Sequence, residues 1–334
     1  MAEAGLAGLD LPPFRPRLPW WGADLQTMRC VLVRSRTGLD RYPAERLFIP
    51  LADGSGDRVA ALLNRPEAAI GKPLTVLVHG LTGFEDSFYM RESALYLLSQ
   101  GFPVLRLNLR GAGRSRPFCR SQYHAGSSDD LARIFDQLRD TAGSNGMVAV
   151  GYSLGANLLL KYLGESGDAT PLQAAAVVSA PLDLAGTARR LDRWRNIAYQ
   201  RYLLKYMKAE ALAPGVELTE RERRAVAGAR SVWEFDHVYS APRTGFGGAA
   251  EYYERCSSIC FLGGVKIPTL LIHALDDPWI PPEPYREFDW RAHPNLREII
   301  TRQGGHVGFH GDDRSAAWHD LAMARFFANA LSLS

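Results

Sequence analysis

The chain has few cysteines, with only Cys30, Cys119, Cys256 and Cys260 in 334 residues. Their spacing is not that of a disulfide framework, which points to reduced thiols and a cytoplasmic protein. Cys256 and Cys260 stand as C-x-x-x-C, and no second Cys/His pair of zinc-site spacing accompanies them. The expected arrangement is two packed thiols on one helix face. His273, His293, His310 and His319 also lack partners at ligand spacing, so no metal and no cofactor are assigned. Charge of one sign is scarce too. The formal net charge is +3 and the arginines are scattered, which argues against a nucleic-acid partner. No stretch approaches the roughly 20 apolar residues of a transmembrane span. The run Met1 to Trp21 is broken by proline and arginine and lacks the apolar centre of a signal peptide. Internal repeats and low-complexity segments are absent as well. What is present is ordinary globular material, 46% hydrophobic and 22% charged. Its length suits one large α/β domain, or a core domain with an insertion.

Residues up to about 40 are rich in Pro and Trp (Pro12, Pro13, Pro16, Pro19, Trp20, Trp21) and read as an extended arm. Arg46–Ile49 and Val59–Leu63 flank the turn-rich stretch from Asp53 to Asp57 and predict an antiparallel hairpin. Leu74–Val78 is a continuous apolar run, the mark of a strand buried on both faces. Helix over Tyr89–Ser99, strand over Val104–Leu107, helix over Asp129–Thr141 and strand over Met147–Val150 follow. Helix over Leu154–Leu163 and strand over Ala174–Val178 come next. Alternation of this kind predicts a mostly parallel sheet with helices on both faces. It stalls after Ser179 and resumes at Thr269–His273 and Leu296–Ile300. The expected organisation is a core over 1–180 that carries the N-terminal arm, a helical lid insertion over 181–264, and the rest of the core over 265–334. Within the insertion Tyr199, Tyr202, Leu203, Tyr206 and Met207 recur at helical spacing. That stripe suits packing on the core, an apolar acyl pocket, or both.

The most telling stretch is Gly151-Tyr152-Ser153-Leu154-Gly155, at the junction of a buried strand and a helix. In that setting G-x-S-x-G becomes a nucleophile elbow, with the serine Oγ held on a sharp turn at the strand end. A serine hydroxyl needs a base to take its proton. In hydrolases of this topology the chain order is serine, acid, histidine. Asp276 and Asp277 follow the strand Thr269–His273, and His306 follows the next strand within Gly304-Gly305-His306-Val307-Gly308. Both fall at C-terminal strand ends, where catalytic groups gather in open α/β sheets. Ser153, Asp277 and His306 are therefore the candidate nucleophile, acid and base. Asp277 is preferred to Asp276 for its spacing to Ile280-Pro281, and Asp276 is left to cap the turn before Pro278. The glycines beside His306 are expected to allow close approach to the elbow. The oxyanion-hole candidates are the backbone N–H groups of Leu154 and of Leu81, the latter in His79-Gly80-Leu81-Thr82-Gly83.

Other features take plainer readings. His79 and His124 are expected to be structural. Arg110-Gly111-Ala112-Gly113-Arg114-Ser115 follows a strand but has neither the Lys-Ser/Thr pair of a phosphate loop nor a helix directly after it. It reads as a loop bordering the site. Asp129 and Asp130 suit a helix N-terminus. A serine at the elbow disfavours dehalogenase chemistry, which uses a carboxylate there.

The elbow, the His79-Gly80 loop, the acid turn and the Gly-Gly-His segment together resemble the α/β-hydrolase superfamily. Finer strings resemble its YheT-like, embryogenesis-associated family. These are Pro19-Trp20-Trp21 with Leu25-Gln26-Thr27, Tyr123-His124-Ala125-Gly126, Leu160 to Gly164, Glu234-Phe235-Asp236, Glu251-Tyr252-Tyr253, and Ala274 to Pro278. One departure is Ala23-Asp24, where the family often has a histidine before the leucine. The segment is expected to lie away from the triad, bearing on arm packing or substrate access. The resemblance implies an α/β-hydrolase fold and a cofactor-free serine esterase acting on a small-molecule ester with an apolar acyl group. Acylglycerols or other lipid esters are implied for some members, with transient contact at a membrane surface. The alternatives are an acyltransferase with the same triad and a hydrolase-like binding protein with little turnover.

Overall fold

The computed structural model describes residue 6 and residues 8–33, 38–66, 71–312 and 316–333. Residues 1–5, 7 and 34–37 of the expected N-terminal arm lie outside the described residues. The hairpin is β1 (Ala44–Pro50) and β2 (Arg58–Asn64), paired antiparallel. Six further strands follow. They are β3 (Leu74–Val78), β4 (Val104–Leu107), β5 (Met147–Tyr152), β6 (Leu172–Val178), β7 (Thr269–Ala274) and β8 (Leu296–Thr301). The sheet order is β1-β2-β4-β3-β5-β6-β7-β8. β2 meets β4 antiparallel, and every pair from β4 to β8 is parallel.

Every residue of β3, β5 and β7 is buried, as continuous apolar runs require of a sheet covered on both faces. Successive side chains then serve opposite layers. Val76 and Ala149 join the cluster that holds Leu131, Phe135 and Leu159, from helices Ser128–Gln137 and Leu154–Ser166. Leu77 and Val150 join the cluster that holds Met90, Leu97 and Phe327, from helices Phe88–Ser99 and Trp318–Ala330. This period of two is the physical content of the α/β-hydrolase architecture, helices on each face of a mostly parallel sheet.

Between β6 and β7 the described chain forms helices and turns without a strand. Leu184–Leu191, Ile197–Ala211, Glu220–Gly228 and Ala249–Cys256 are the longer pieces. Leu191, Leu203, Leu204, Met207, Val226 and Phe235 give this segment an apolar cluster of its own. Among the described residues, no helix is long and apolar enough to cross a membrane.

Two expectations change. Residues before 40 are not all extended, because Ala23–Leu32 is a helix. Cys256 and Cys260 do not share a helix face. That helix ends at Cys256, which is buried, whereas Cys260 is exposed in the following tight turn.

Candidate active site

β5 ends at Tyr152, and Ser153 follows with φ 51° and ψ −120°. A left-handed φ costs a non-glycine residue on the order of 1–3 kcal/mol, so it persists only where neighbours hold it. Here the Ser153 N–H donates to Val178 O at 2.9 Å, and Ser153 O accepts from Ala156 N at 2.9 Å. The flanking glycines permit the turn. A Cβ on Gly151 would sit 2.7 Å from Ala156 Cα, and one on Gly155 would run into the carbonyl oxygens of Val78 and His79. The helix Leu154–Ser166 can therefore press against β3 and β5.

Three loops at C-terminal strand ends converge on this turn. His306, after β8, places Nε2 2.9 Å from Ser153 Oγ and Nδ1 2.8 Å from Asp277 Oδ2. Asp277, after β7, is fully buried. Its other oxygen accepts from Trp279 N at 2.8 Å and Ile280 N at 3.0 Å. Burial pushes this carboxyl up. The facing His306, through charge and hydrogen bond, together with His273 and the Ile280 amide, outweighs burial and holds it below the ordinary carboxylate value. Asp276 does something else. Its Oδ1 accepts from Gly305 N at 2.9 Å, and burial raises its carboxyl. Asp277 thus both caps its own turn and meets the imidazole, and Asp276 braces the histidine loop rather than the turn before Pro278. Trp279 stacks on the His306 ring at 4.2 Å between centroids.

The amides of the loop after β3 are almost all engaged. Gly80 N–H donates to Tyr89 Oη (2.9 Å), Thr82 N–H to Tyr123 Oη (2.7 Å) and Gly83 N–H to Gly80 O (3.0 Å). Leu81 supplies the loop's remaining amide, and Leu154 supplies the first amide of its helix, where donors lack intrahelical acceptors. Leu81 and Leu154 both line the same cavity as Ser153 and His306. A Cβ on Gly80 would lie 2.9 Å from Ser153 Cβ, so this loop runs directly beside the serine.

The segment of the family departure is not remote from the site. Thr27 Oγ1 accepts from His306 N at 2.8 Å, and Gln26 Oε1 accepts from His310 N at 2.7 Å. The glycines of the histidine loop admit helix Ala23–Leu32 rather than the elbow, because a Cβ on Gly305 would lie 2.6 Å from Ala23 O and 2.8 Å from Thr27 Oγ1. Other supports lay beyond sequence reasoning. Val307 N donates to Ser179 Oγ at 3.1 Å, and Arg190 Nη2 donates to Asp277 O at 3.0 Å. Each is a single polar residue without a motif around it, joined to the site only by the fold.

The cavity has a volume of about 1100 Å³. Tyr199, Tyr202, Leu203, Tyr206 and Met207 all line it, and Leu203 and Met207 also serve the helical segment's own cluster. The stripe thus faces the cavity and packs within the helical segment's own cluster. Polar groups gather on one part of the wall. Tyr123 Oη lies 3.4 Å from Glu210 Oε2, and Gln122 Nε2 donates to Glu210 O at 2.6 Å. Burial raises Glu210 to about 7 and Asp236, also on the wall, to about 6.

His79 is buried, takes the Leu109 N–H on Nε2 at 3.0 Å, and is lowered to about 4 by burial. His124 accepts from Gly126 N at 3.1 Å. His124 lines the cavity, whereas His79 does not. The loop from Arg110 to Ser115 does not line the cavity. It misses the site because Arg110 is turned into a cluster with Asp53, Asp57 and Asp130 at 2.5–2.8 Å. A guanidinium so satisfied has no fork left for a phosphate.

Residues 73–313 match the family of the alpha/beta hydrolase fold. YheT of Escherichia coli, provisionally named an esterase, is 32% identical over 305 residues, covering 89% of this chain and 87% of YheT. The medium-chain fatty acid ethyl ester synthase/esterase 2 of Saccharomyces cerevisiae is 32% identical over 281 residues, or 76% of this chain. This chain spans only 62% of that yeast protein's length. Among solved structures, the Pyrococcus furiosus esterase Pf2001 superimposes with a TM-score of 0.56 at 17% identity, covering 82% of this chain and 88% of that one. That last likeness speaks for the fold alone.

Proposed function

This chain belongs to the α/β-hydrolase family, in its YheT-like branch, and from that premise we propose that it is a serine hydrolase of carboxylic esters. The observation that carries the reading is the unbroken chain Ser153 Oγ, His306, Asp277, with contacts of 2.9 and 2.8 Å, opening on an apolar cavity. Ser153 Oγ attacks the ester carbonyl carbon while His306 Nε2 takes its proton. Asp277 keeps the remaining ring proton on Nδ1 and stabilises the imidazolium. The carbonyl oxygen, now an alkoxide, is held by the Leu154 and Leu81 amides. One such donor is typically worth about 10²–10³ in rate. The intermediate collapses, His306 returns the proton to the departing alcohol, and an acyl group is left on Ser153. Water, deprotonated by the same imidazole, releases the acid. Tyr123 acts at one remove as a positioning residue, because its hydroxyl anchors Thr82 beside the Leu81 donor.

The helical segment between β6 and β7 is a cap, and its stripe from Tyr199 to Met207 receives the acyl chain. The substrates are small-molecule esters with an apolar acyl group, of which acylglycerols and other lipid esters are examples, and contact with a membrane surface follows from where such esters reside. The four free cysteines suit a reducing compartment and a cytoplasmic location. The Ser153→Ala variant is expected to lose turnover of a p-nitrophenyl acyl ester; a variant as active as the parent refutes the reading. The name of the yeast relative, a synthase as well as an esterase, favours a second reading in which an alcohol intercepts the acyl-enzyme. Product analysis with added ethanol separates the two, since ester formation supports transfer and free acid alone supports hydrolysis.

A further inference from the structure

The exposed hydrophobic side chains of this protein are not scattered. Eleven large ones are exposed among the described residues, and nine of these fall in segments 18–32 and 194–206. The segments meet at Asp24, whose carboxylate accepts from Arg195 Nη2 at 2.9 Å and from Tyr199 Oη at 2.8 Å. Helix Ala23–Leu32 is turned inside out. It buries Gln26, Thr27 and Arg29, while Val31 and Leu32 stand 52% and 61% exposed. Across Asp24, Trp194 is 87% exposed, and Ile197, Tyr202 and Tyr206 are exposed as well. Isolated exposed apolar residues need no explanation, but a joined cluster marks a place of association. This cluster also borders the cavity. Val31, Tyr202 and Tyr206 are both solvent-exposed and part of its wall.

The charge pattern says what kind of surface fits. From Arg193 to Lys208 the sequence has five basic residues and no acidic one. Arg193, Arg201 and Lys205 are exposed among the aromatic side chains, with Lys205 Nζ 5.5 Å from the Tyr206 ring centre. A protein interface core is depleted in lysine. Tryptophan and tyrosine beside lysine and arginine are instead what a lipid interface selects. The rings settle at headgroup level, the aliphatic side chains enter the acyl boundary, and the cations meet anionic headgroups.

We propose that segments 18–32 and 194–206 form a docking face for an anionic lipid bilayer, which sets the cavity opening against the layer that holds the ester. The proposal rests on the ester-hydrolase reading, but its test does not need turnover. The Ser153→Ala protein is sedimented with vesicles of phosphatidylcholine containing about 30 mol% phosphatidylglycerol, and with phosphatidylcholine alone. It is expected to bind the anionic vesicles and to release as ionic strength rises. Trp194→Ser with Ile197→Ser, and separately Arg201→Glu with Lys205→Glu, are expected to weaken binding about tenfold or more. None of these four side chains lines the cavity. With Ser153 intact, both double variants should therefore hydrolyse soluble p-nitrophenyl butyrate as the parent does. Equal binding to both vesicle types, no binding to either, or undiminished binding by both variants overturns the docking face. So does a dimer in solution that the Trp194 and Ile197 substitutions split, which would give the face to a second copy of the chain. Vesicle binding by a parent enzyme that leaves soluble esters untouched upholds the face and counts against the ester reading alone.

Discussion

The sheet and the helical segment between β6 and β7 treat polar groups in opposite ways. Around Ser153 the polar groups of the triad and its loops have fixed partners. Asp277 is capped by two amides, His306 bridges Asp277 and Ser153, and Thr27 and Ser179 hold the backbone on either side of the ring. The helical segment instead keeps acids at a cavity wall, where burial raises Glu210 and Asp236, and turns tyrosine, tryptophan and cations outward. Fixed partners leave little freedom to reorganise, which suits bond-making. Exposed rings, and a carboxylate as loosely held as that of Glu210, 3.4 Å from the Tyr123 hydroxyl, suit a surface that meets varied ligands. Chemistry should therefore depend on the first region, and substrate range and pH response on the second.

The sharpest way to break that division is at the acid. Asp277→Asn is expected to lower kcat by about 10³–10⁴, because an amide no longer fixes the imidazole tautomer. Asp276→Asn, which meets the Gly305 amide rather than the imidazole, should cost far less. The reverse ranking would move the acid by one residue. Tyr123 lies where the two regions touch, between Thr82 N and Glu210. Tyr123→Phe is expected to lower kcat about 10–100-fold with KM little changed, since it loosens the oxyanion loop rather than the acyl pocket. A change confined to KM would instead make Tyr123 part of the substrate pocket. The smallest effect concerns Glu210. Its folded value of about 7 lies above the ordinary 4.5, with Tyr123 and Arg116 offsetting only part of the burial. Between those values the folded chain holds more protons than the unfolded chain, so this group's contribution falls as pH rises through the window and is lowest above about 7. Glu210→Gln removes that dependence. Its melting temperature should decline less than the parent's across the window, by a few degrees, and parallel curves would show that Glu210 titrates normally.

The parallel strands were legible because a strand buried on both faces must be a continuous apolar run, as Leu74–Val78 and Thr269–His273 are. The candidates Ser153 and Asp277 were legible because elbow and acid turn each follow such a run, and His306 because its glycine-rich loop follows the next strand, where Arg297 and Glu298 interrupt the apolar pattern. Helix Ala23–Leu32 was not. Its buried side is Gln26, Thr27 and Arg29, so the usual apolar stripe is inverted, and no side chain caps its start at Gly22. The same inversion hid its place beside His306. The C-terminal helix Trp318–Ala330 also escaped, since it is apolar nearly all round and buried residues dominate it. Glu210 and Tyr123 carry no local signal, and only the fold brings them within 3.4 Å.

The most direct test is covalent labelling of the folded protein with a fluorophosphonate, read by intact mass and peptide mapping. The expected result is one adduct, on Ser153, with ester hydrolysis lost in step with labelling, and no adduct in Ser153→Ala. Turnover that survives full labelling, or an adduct on any other residue that abolishes activity, would contradict the assignment of Ser153 as nucleophile.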